Sequence, residues 1–261
     1  VETKPGLSVG NMIAGFNTRF DQYDSAAKQY QNEQKFVPDY FSAAPNVLDG
    51  WVTSGNGNNC TSDLAPNPFD ADGNYVNTAG TIGLPLDDCF TGDSTQCVTP
   101  RIGNGSFDID SYLEVNYDET PASIGSHPTL SGFPVGGTRW QMYQWEANNL
   151  TDVQGVLSGL GKTEGALPSC QAPSSITNDS IRRRVITVAG VDCIDQQDQL
   201  KGGSGSITVD SFIEVFLVRP AESDGTGADA VIWGEVIQEV RPGPGGLGEG
   251  GIVHDLVQLY E

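Results

Sequence analysis

Positive charge is what this chain has least of. Thirteen Lys and Arg stand against 34 Asp and Glu, a formal net charge of −21 over 261 residues. No basic face is available to displace counterions from phosphates, which excludes the usual nucleic-acid binder. The same shortage argues against docking on anionic lipid. Charged residues are only 18% of the chain, below the roughly 25% of average soluble domains, so the imbalance reflects missing bases more than added acids. Long apolar runs are also lacking. No stretch of about 20 such residues occurs, so no segment of this sequence is expected to span a bilayer as a helix. No secretory leader opens it either; Val1 Glu2 Thr3 Lys4 Pro5 reads as the interior of something longer, and a fragment or processed product is expected.

Histidine is nearly missing, with His127 and His254 alone. A Ser, His, Asp triad would have many serines to draw on, but nothing in the sequence selects one, so structural or solvated histidines are expected. No G-x-S-x-G elbow is present, because Gly202 Gly203 Ser204 Gly205 continues with Ser206. Gly161 Lys162 Thr163 has the ending of a Walker A loop, but Val156 stands where its first Gly belongs. Gly243 Pro244 Gly245 Gly246 Leu247 Gly248 fits G-x-G-x-x-G, yet Pro244 removes a donor and Glu249 Gly250 Gly251 cannot open a helix. A loop is expected there.

The five cysteines are Cys60, Cys89, Cys97, Cys170 and Cys193. They contain no C-x-x-C, and with two histidines a structural zinc site has little support. In an acidic, loop-rich, Lys-poor chain the favoured reading is disulfides formed in an oxidising, extracytoplasmic space, with buried free thiols as the alternative. Two local pairings suggest themselves, Cys89 with Cys97 and Cys170 with Cys193. Cys60 is left over, and a partner upstream of Val1 is expected for it.

What the chain has in plenty is backbone punctuation, 33 Gly and 15 Pro. Up to about residue 100 the sequence is polar and turn-rich, as in Ser54 Gly55 Asn56 Gly57 Asn58 Asn59. From about 138 onward, β-branched and aromatic runs of strand length appear: Trp140–Trp145, Val185–Val191, Ile207–Val218, Val231–Val240 and a last run, Ile252–Tyr260. Both faces of Ile207–Val218 are apolar, which predicts a central strand; Val231–Val240 reads as a more solvated neighbour. Helical signals are fewer: Phe107–Glu114 with Asp108 as N-cap and Tyr112 and Leu113 inward, Val153–Leu160 stopped by Gly161, and a segment around Phe20–Tyr30. Tyr143, Trp145, Phe212, Phe216 and Trp233 are read as core aromatics. The expectation is one α+β domain, a mainly antiparallel sheet in residues 138–261 wrapped by long disulfide-tied loops from residues 1–137.

Candidate chemistry is confined to a few places. Asp70 Ala71 Asp72 Gly73 Asn74 offers hard oxygens at alternate positions of a turn, so Asp70, Asp72 and Asn74 are candidate calcium ligands, though the pattern lacks the spacing and terminal Glu of an EF-hand. No other cofactor is called for. Asp87 with Asp88, and Asp108 with Asp110, are carboxylate pairs of the kind glycoside hydrolysis needs, if the fold sets them a sugar ring apart. Arg182 Arg183 Arg184 is the one basic cluster, either a solvated strand entry or a contact with an acidic surface of the same or a neighbouring subunit.

Several segments, taken in order, resemble the C-terminal region of TadG-like proteins of bacterial tight-adherence (Tad, Flp-type) pilus systems. They include Thr3 Lys4 Pro5 Gly6, Gly15 Phe16 Asn17 Thr18 Arg19 Phe20, Ala44 Pro45 Asn46 Val47, Leu84 Pro85 Leu86 Asp87 Asp88 Cys89 Phe90, and Arg101 Ile102 Gly103 Asn104 Gly105 Ser106 Phe107 Asp108. Arg139 Trp140 Gln141 Met142 Tyr143 Gln144 Trp145, Arg182 to Cys193, Phe212 to Leu217, Ile232 Trp233 Gly234 Glu235 Val236 and Val257 Gln258 Leu259 Tyr260 continue the series. The resemblance implies a non-enzymatic, extracytoplasmic accessory protein of a surface pilus, at the periplasm or cell surface, whose full-length form carries an N-terminal membrane anchor. Its implied partners are other pilus-system proteins or copies of itself. It brings no catalytic residues with it.

Overall fold

The structure is a computed structural model that describes residues 9–17, 19, 81–91, 97–98, 102–162, 181–192, 194–196, 198, 207–223 and 230–240. The segments expected as a helix around Phe20–Tyr30 and as a strand at Ile252–Tyr260 lie outside the described residues.

The architecture is α+β. Among the described residues, five α-helices come in the order α1 (Val9–Asn17), α2 (Asp88–Thr91), α3 (Ile109–Tyr117), α4 (Arg139–Asn148) and α5 (Leu150–Gly159), followed by β1 (Val185–Gly190), β2 (Ser211–Leu217), β3 (Glu222–Ser223), β4 (Ala230–Val231) and β5 (Gly234–Val240). The sheet order is β1-β2-β5, antiparallel throughout, with β3 and β4 forming a separate two-stranded ribbon. So the doubly apolar run is the central strand. Register is continuous between β1 and β2, where Val185 faces Phe216 and Gly190 faces Ser211. Between β2 and β5 it shifts at Glu214/Val215.

Helix α3 begins where its cap dictates. The Asp108 carboxylate accepts from the Ser111 N–H at 2.9 Å and from the Ser111 hydroxyl at 2.6 Å, satisfying one of the orphan donors of the first turn. It buries Tyr112, Leu113, Val115, Asn116 and Tyr117 and ends at Asp118 in the left-handed region, φ 55°. Helix α5 starts three residues earlier than the sequence suggested, and its chain reverses at Gly161, φ 69°.

Residues Trp140–Trp145, expected as a strand, are helical. The reason is local: Thr138 and Gln141 form a capping box, the Thr hydroxyl accepting from the Gln141 N–H at 3.2 Å and the Gln141 side-chain Oε1 accepting from the Thr138 N–H at 2.9 Å. Arg139, Trp140, Met142, Tyr143, Glu146 and Ala147 are then buried, the stripe a 3.6-residue period produces. The aromatic side chains favour strands only where a pleated surface receives them, and here a helix face does.

The helices and sheet form layers. On one face of the sheet, α3, α4 and α5 supply Tyr112, Leu113, Met142, Tyr143, Val153 and Leu157 to a cluster that includes Phe216 and Val218. Trp140, Tyr143 and Phe216 are mutually in ring contact, with centroids 5.1 to 5.9 Å apart, a geometry that adds to burial alone. On the other face Phe16 of α1 packs with Ile186, Leu217 and Ala221, and with the half-buried Met12, Ile13, Val188 and Val215. Alternate residues of β2 therefore feed two separate clusters.

Side-chain amides fasten the loops to this frame. Asn116 accepts from the Ile82 N–H at 2.8 Å and donates to the Ile82 carbonyl at 3.1 Å. Asn17 grips Ala221 in the same two-point way, at 2.7 and 2.9 Å, and Gln196 grips Thr208, at 2.5 and 2.8 Å. Each amide imitates one rung of a β-ladder, satisfying a donor and an acceptor that have no strand beside them.

Candidate functional site

Three segments remote in sequence converge on Arg139, the first residue of α4. Its Nη2 donates to Asp87 Oδ1 at 2.5 Å, its Nη1 to Glu235 Oε2 at 3.3 Å, and its Nε to the Pro85 carbonyl at 2.5 Å. The guanidinium lies 4.1 Å from the centre of the Phe107 ring, a cation–π contact strengthened by poor solvation. The arginine side chain is 5% exposed, against 13% for Asp87 and 16% for Glu235, so the ion triad is nearly out of water.

Each carboxylate is held in place by backbone. Asp87 pairs across an isolated bridge with Phe107, and its Oδ2 accepts from the Gly105 N–H at 2.7 Å. Gly103 is required nearby, since a Cβ there would lie 1.9 Å from Asp87 Oδ2. Immediately after Asp87, the disulfide between Cys89 and Cys97 anchors α2, with Cα atoms 5.1 Å apart. Glu235, on β5, accepts from the N–H groups of Arg139 and Trp140 at 3.1 Å each. A carboxylate at that helix start is favoured by the dipole as well as by the hydrogen bonds.

Beside this triad opens a cavity of about 450 Å³ whose lining includes Asp87, Phe107, Thr138, Arg139, Glu235 and Val236. Every nitrogen of the guanidinium donates within the fold, and each carboxylate binds both the arginine and main-chain amides. The arrangement is suited to joining a loop, a helix and a strand.

The other sequence candidates have definite places. Asp88 lies in the first turn of α2 and Asp110 in the first turn of α3, while Asp108 caps α3; these carboxylates attend helix starts. His127 Nδ1 accepts from the Thr129 and Leu130 N–H groups at 3.1 and 3.0 Å, holding a turn. Lys162, buried at 6% exposure, donates from Nζ to the Val115 carbonyl and to Asp118 Oδ1, both at 2.5 Å, and so fastens the end of α3.

The basic cluster divides. Arg182 is 47% exposed and pairs with Glu214, which also accepts from Gln238 Nε2 at 2.8 Å. Arg184 is fully buried, its guanidinium 4.9 Å from the Tyr143 ring centre, so for this residue neither a solvated strand entry nor an intersubunit contact applies. The Arg183 side chain lies outside the described residues, as do Cys60, Cys170 and Cys193 and the calcium candidates Asp70, Asp72 and Asn74. Among the described residues no group of three or more His, Cys, Asp or Glu is placed to hold a metal ion, and no helix is long and apolar enough to cross a membrane.

Sequence reasoning missed Glu146, whose Oε1 accepts from the hydroxyls of Tyr112 and Tyr117 at 2.8 and 2.6 Å in the core. Its signal, a position seven residues beyond Arg139 on one helix face, exists only once α4 is read as a helix. Compared with protein-family models, with curated proteins and with solved structures, the chain matches none of them.

Proposed function

We propose that this chain is a non-enzymatic, extracytoplasmic component of a bacterial surface pilus, acting in assembly, as a minor subunit or in adhesion, and membrane-anchored in its full-length form. The structural observation that carries the non-enzymatic part is the inward use of polar groups at the Arg139 junction. Asp87, Arg139 and Glu235 bond to one another and to backbone, as a load-carrying scaffold requires. The Cys89–Cys97 disulfide and the net charge of −21 support an oxidising compartment and a dispersed, self-repelling surface. The pilus assignment itself rests on the ordered resemblance to TadG-like sequences.

Deleting the gene in its host, then imaging surface filaments and measuring attachment, tests the reading. Loss of either, restored by the full-length gene, is the expected outcome. Unchanged filaments and attachment would sink it, and release of sugars from a glycan panel, lost on substituting Asp108 or Asp110, would replace it with a hydrolase.

A further inference from the structure

The sheet has two edges, and they are built differently. The β5 edge carries Glu235, Gln238 and Glu239 and is interrupted by the register shift opposite Glu214/Val215, devices that discourage another strand from pairing. The β1 edge has none of these. Val185, Ile186, Thr187, Val188, Ala189 and Gly190 contain no charge and no proline, and their register to β2 is unbroken. Among the described residues, β2 is the only strand paired with β1.

Charge is arranged around this neutral strand with opposite signs at its two ends. Arg182, 47% exposed, stands just before β1. Just beyond it come the exposed Asp192, Asp195 and Asp210, gathered by bonds from the Asp192 N–H to Asp210 Oδ2 at 2.9 Å and from the Asp195 N–H to Asp192 Oδ1 at 3.1 Å. A strand that is basic at its start and acidic at its end is complementary to itself when run antiparallel. An overlap centred on Thr187 sets Val185 against Ala189, a residue of the same face, as a two-fold axis normal to the sheet demands, and brings each Arg182 to the level of the other copy's Asp192, twice.

We propose that β1 pairs antiparallel with β1 of a second copy of this chain, joining two three-stranded sheets into one six-stranded sheet. The edge main chain supplies the hydrogen bonds, and the charged ends fix direction and register. Because each copy carries a net charge of −21, general repulsion opposes the approach; a neutral strand with a basic end lessens it locally. The dimer is therefore weak and concentration-dependent. The inference goes beyond the pilus reading and stands whether or not that reading holds.

Sedimentation of the full chain tests it, using Arg182→Glu and Asp195→Lys separately and mixed. Among the described contacts Asp195 gives the turn only its backbone N–H, so its side chain is open to replacement. Arg182→Glu alone sets acid against acid at both ends, and its dimerisation is expected to weaken by roughly tenfold or more; Asp195→Lys alone sets a lysine beside Arg182 but keeps Asp192 and Asp210 there, and weakens it less. In an equimolar mixture both ends become complementary, and a heterodimer of near wild-type strength is expected. A wild-type chain that stays monomeric up to about 1 mM, or variants that fail to recover on mixing while wild type dimerises, would overturn the proposal. Should a variant fail to fold, amide exchange of the wild type decides: protection of Val185–Gly190 must rise with protein concentration, and concentration-independent protection overturns the pairing.

Discussion

Arg139 and Arg182 each reach a glutamate of the same sheet, Glu235 on β5 and Glu214 on β2. One arginine side chain is 5% exposed and serves two carboxylates, a carbonyl and an aromatic ring; the other is 47% exposed and makes one ion pair. The difference teaches that identical chemistry does different work at different depth. In water an ion pair gains little, because solvent screens it and two long side chains must be ordered. Out of water the pair is hard to assemble but harder still to halve, since a lone buried charge has no solvent to turn to.

The sharpest way to break this contrast is to remove the buried member. Arg139→Met leaves Asp87 and Glu235 facing each other without their cation, and a loss of about 3–5 kcal/mol is expected in urea unfolding. A loss below about 1 kcal/mol, the level of a surface pair, would erase the distinction. Next in size, Glu235→Gln keeps acceptor geometry at the start of α4 but deletes the charge, and up to about 2 kcal/mol is expected in the same measurement. A smaller change follows from Thr138→Ala, which opens the capping box beside Arg139 without touching the ions and costs about 1 kcal/mol in thermal or urea unfolding. Smallest of all, Arg182→Ala is expected to shift stability by no more than about 1 kcal/mol, leaving the unfolding midpoint almost where it was.

What the sequence made legible is what local chemistry controls. The β-branched runs at 185–191 and 207–218 became β1 and central β2, and Asp108 capped α3 through Ser111, three residues on. Two local signals compete at α4: Trp140, Tyr143 and Trp145 suggest a strand, but Thr138 with Gln141 is a helix-start pair that overrides aromatic preference. The Arg139 junction was illegible for a different reason. Its members lie 52 and 96 residues apart, and nothing local to Asp87 distinguishes it from the other acids of an acidic chain. Arg184 is not told apart from its neighbours in sequence, because three adjacent arginines look alike until the chain turns one of them beneath Tyr143.

The amide grips of Asn17 and Asn116 place an evolutionary constraint on this fold. Each reads only the main chain of the residue it holds. Ile82 and Ala221 are thus open to drift as far as these bonds are concerned, while the asparagines are not: a change to aspartate, one atom different, turns the donor into an oxygen facing a carbonyl. The same swap arises without mutation, by spontaneous deamidation. Ageing of the protein would then loosen Ile82 and Ala221 from their helices before it touched either hydrophobic cluster.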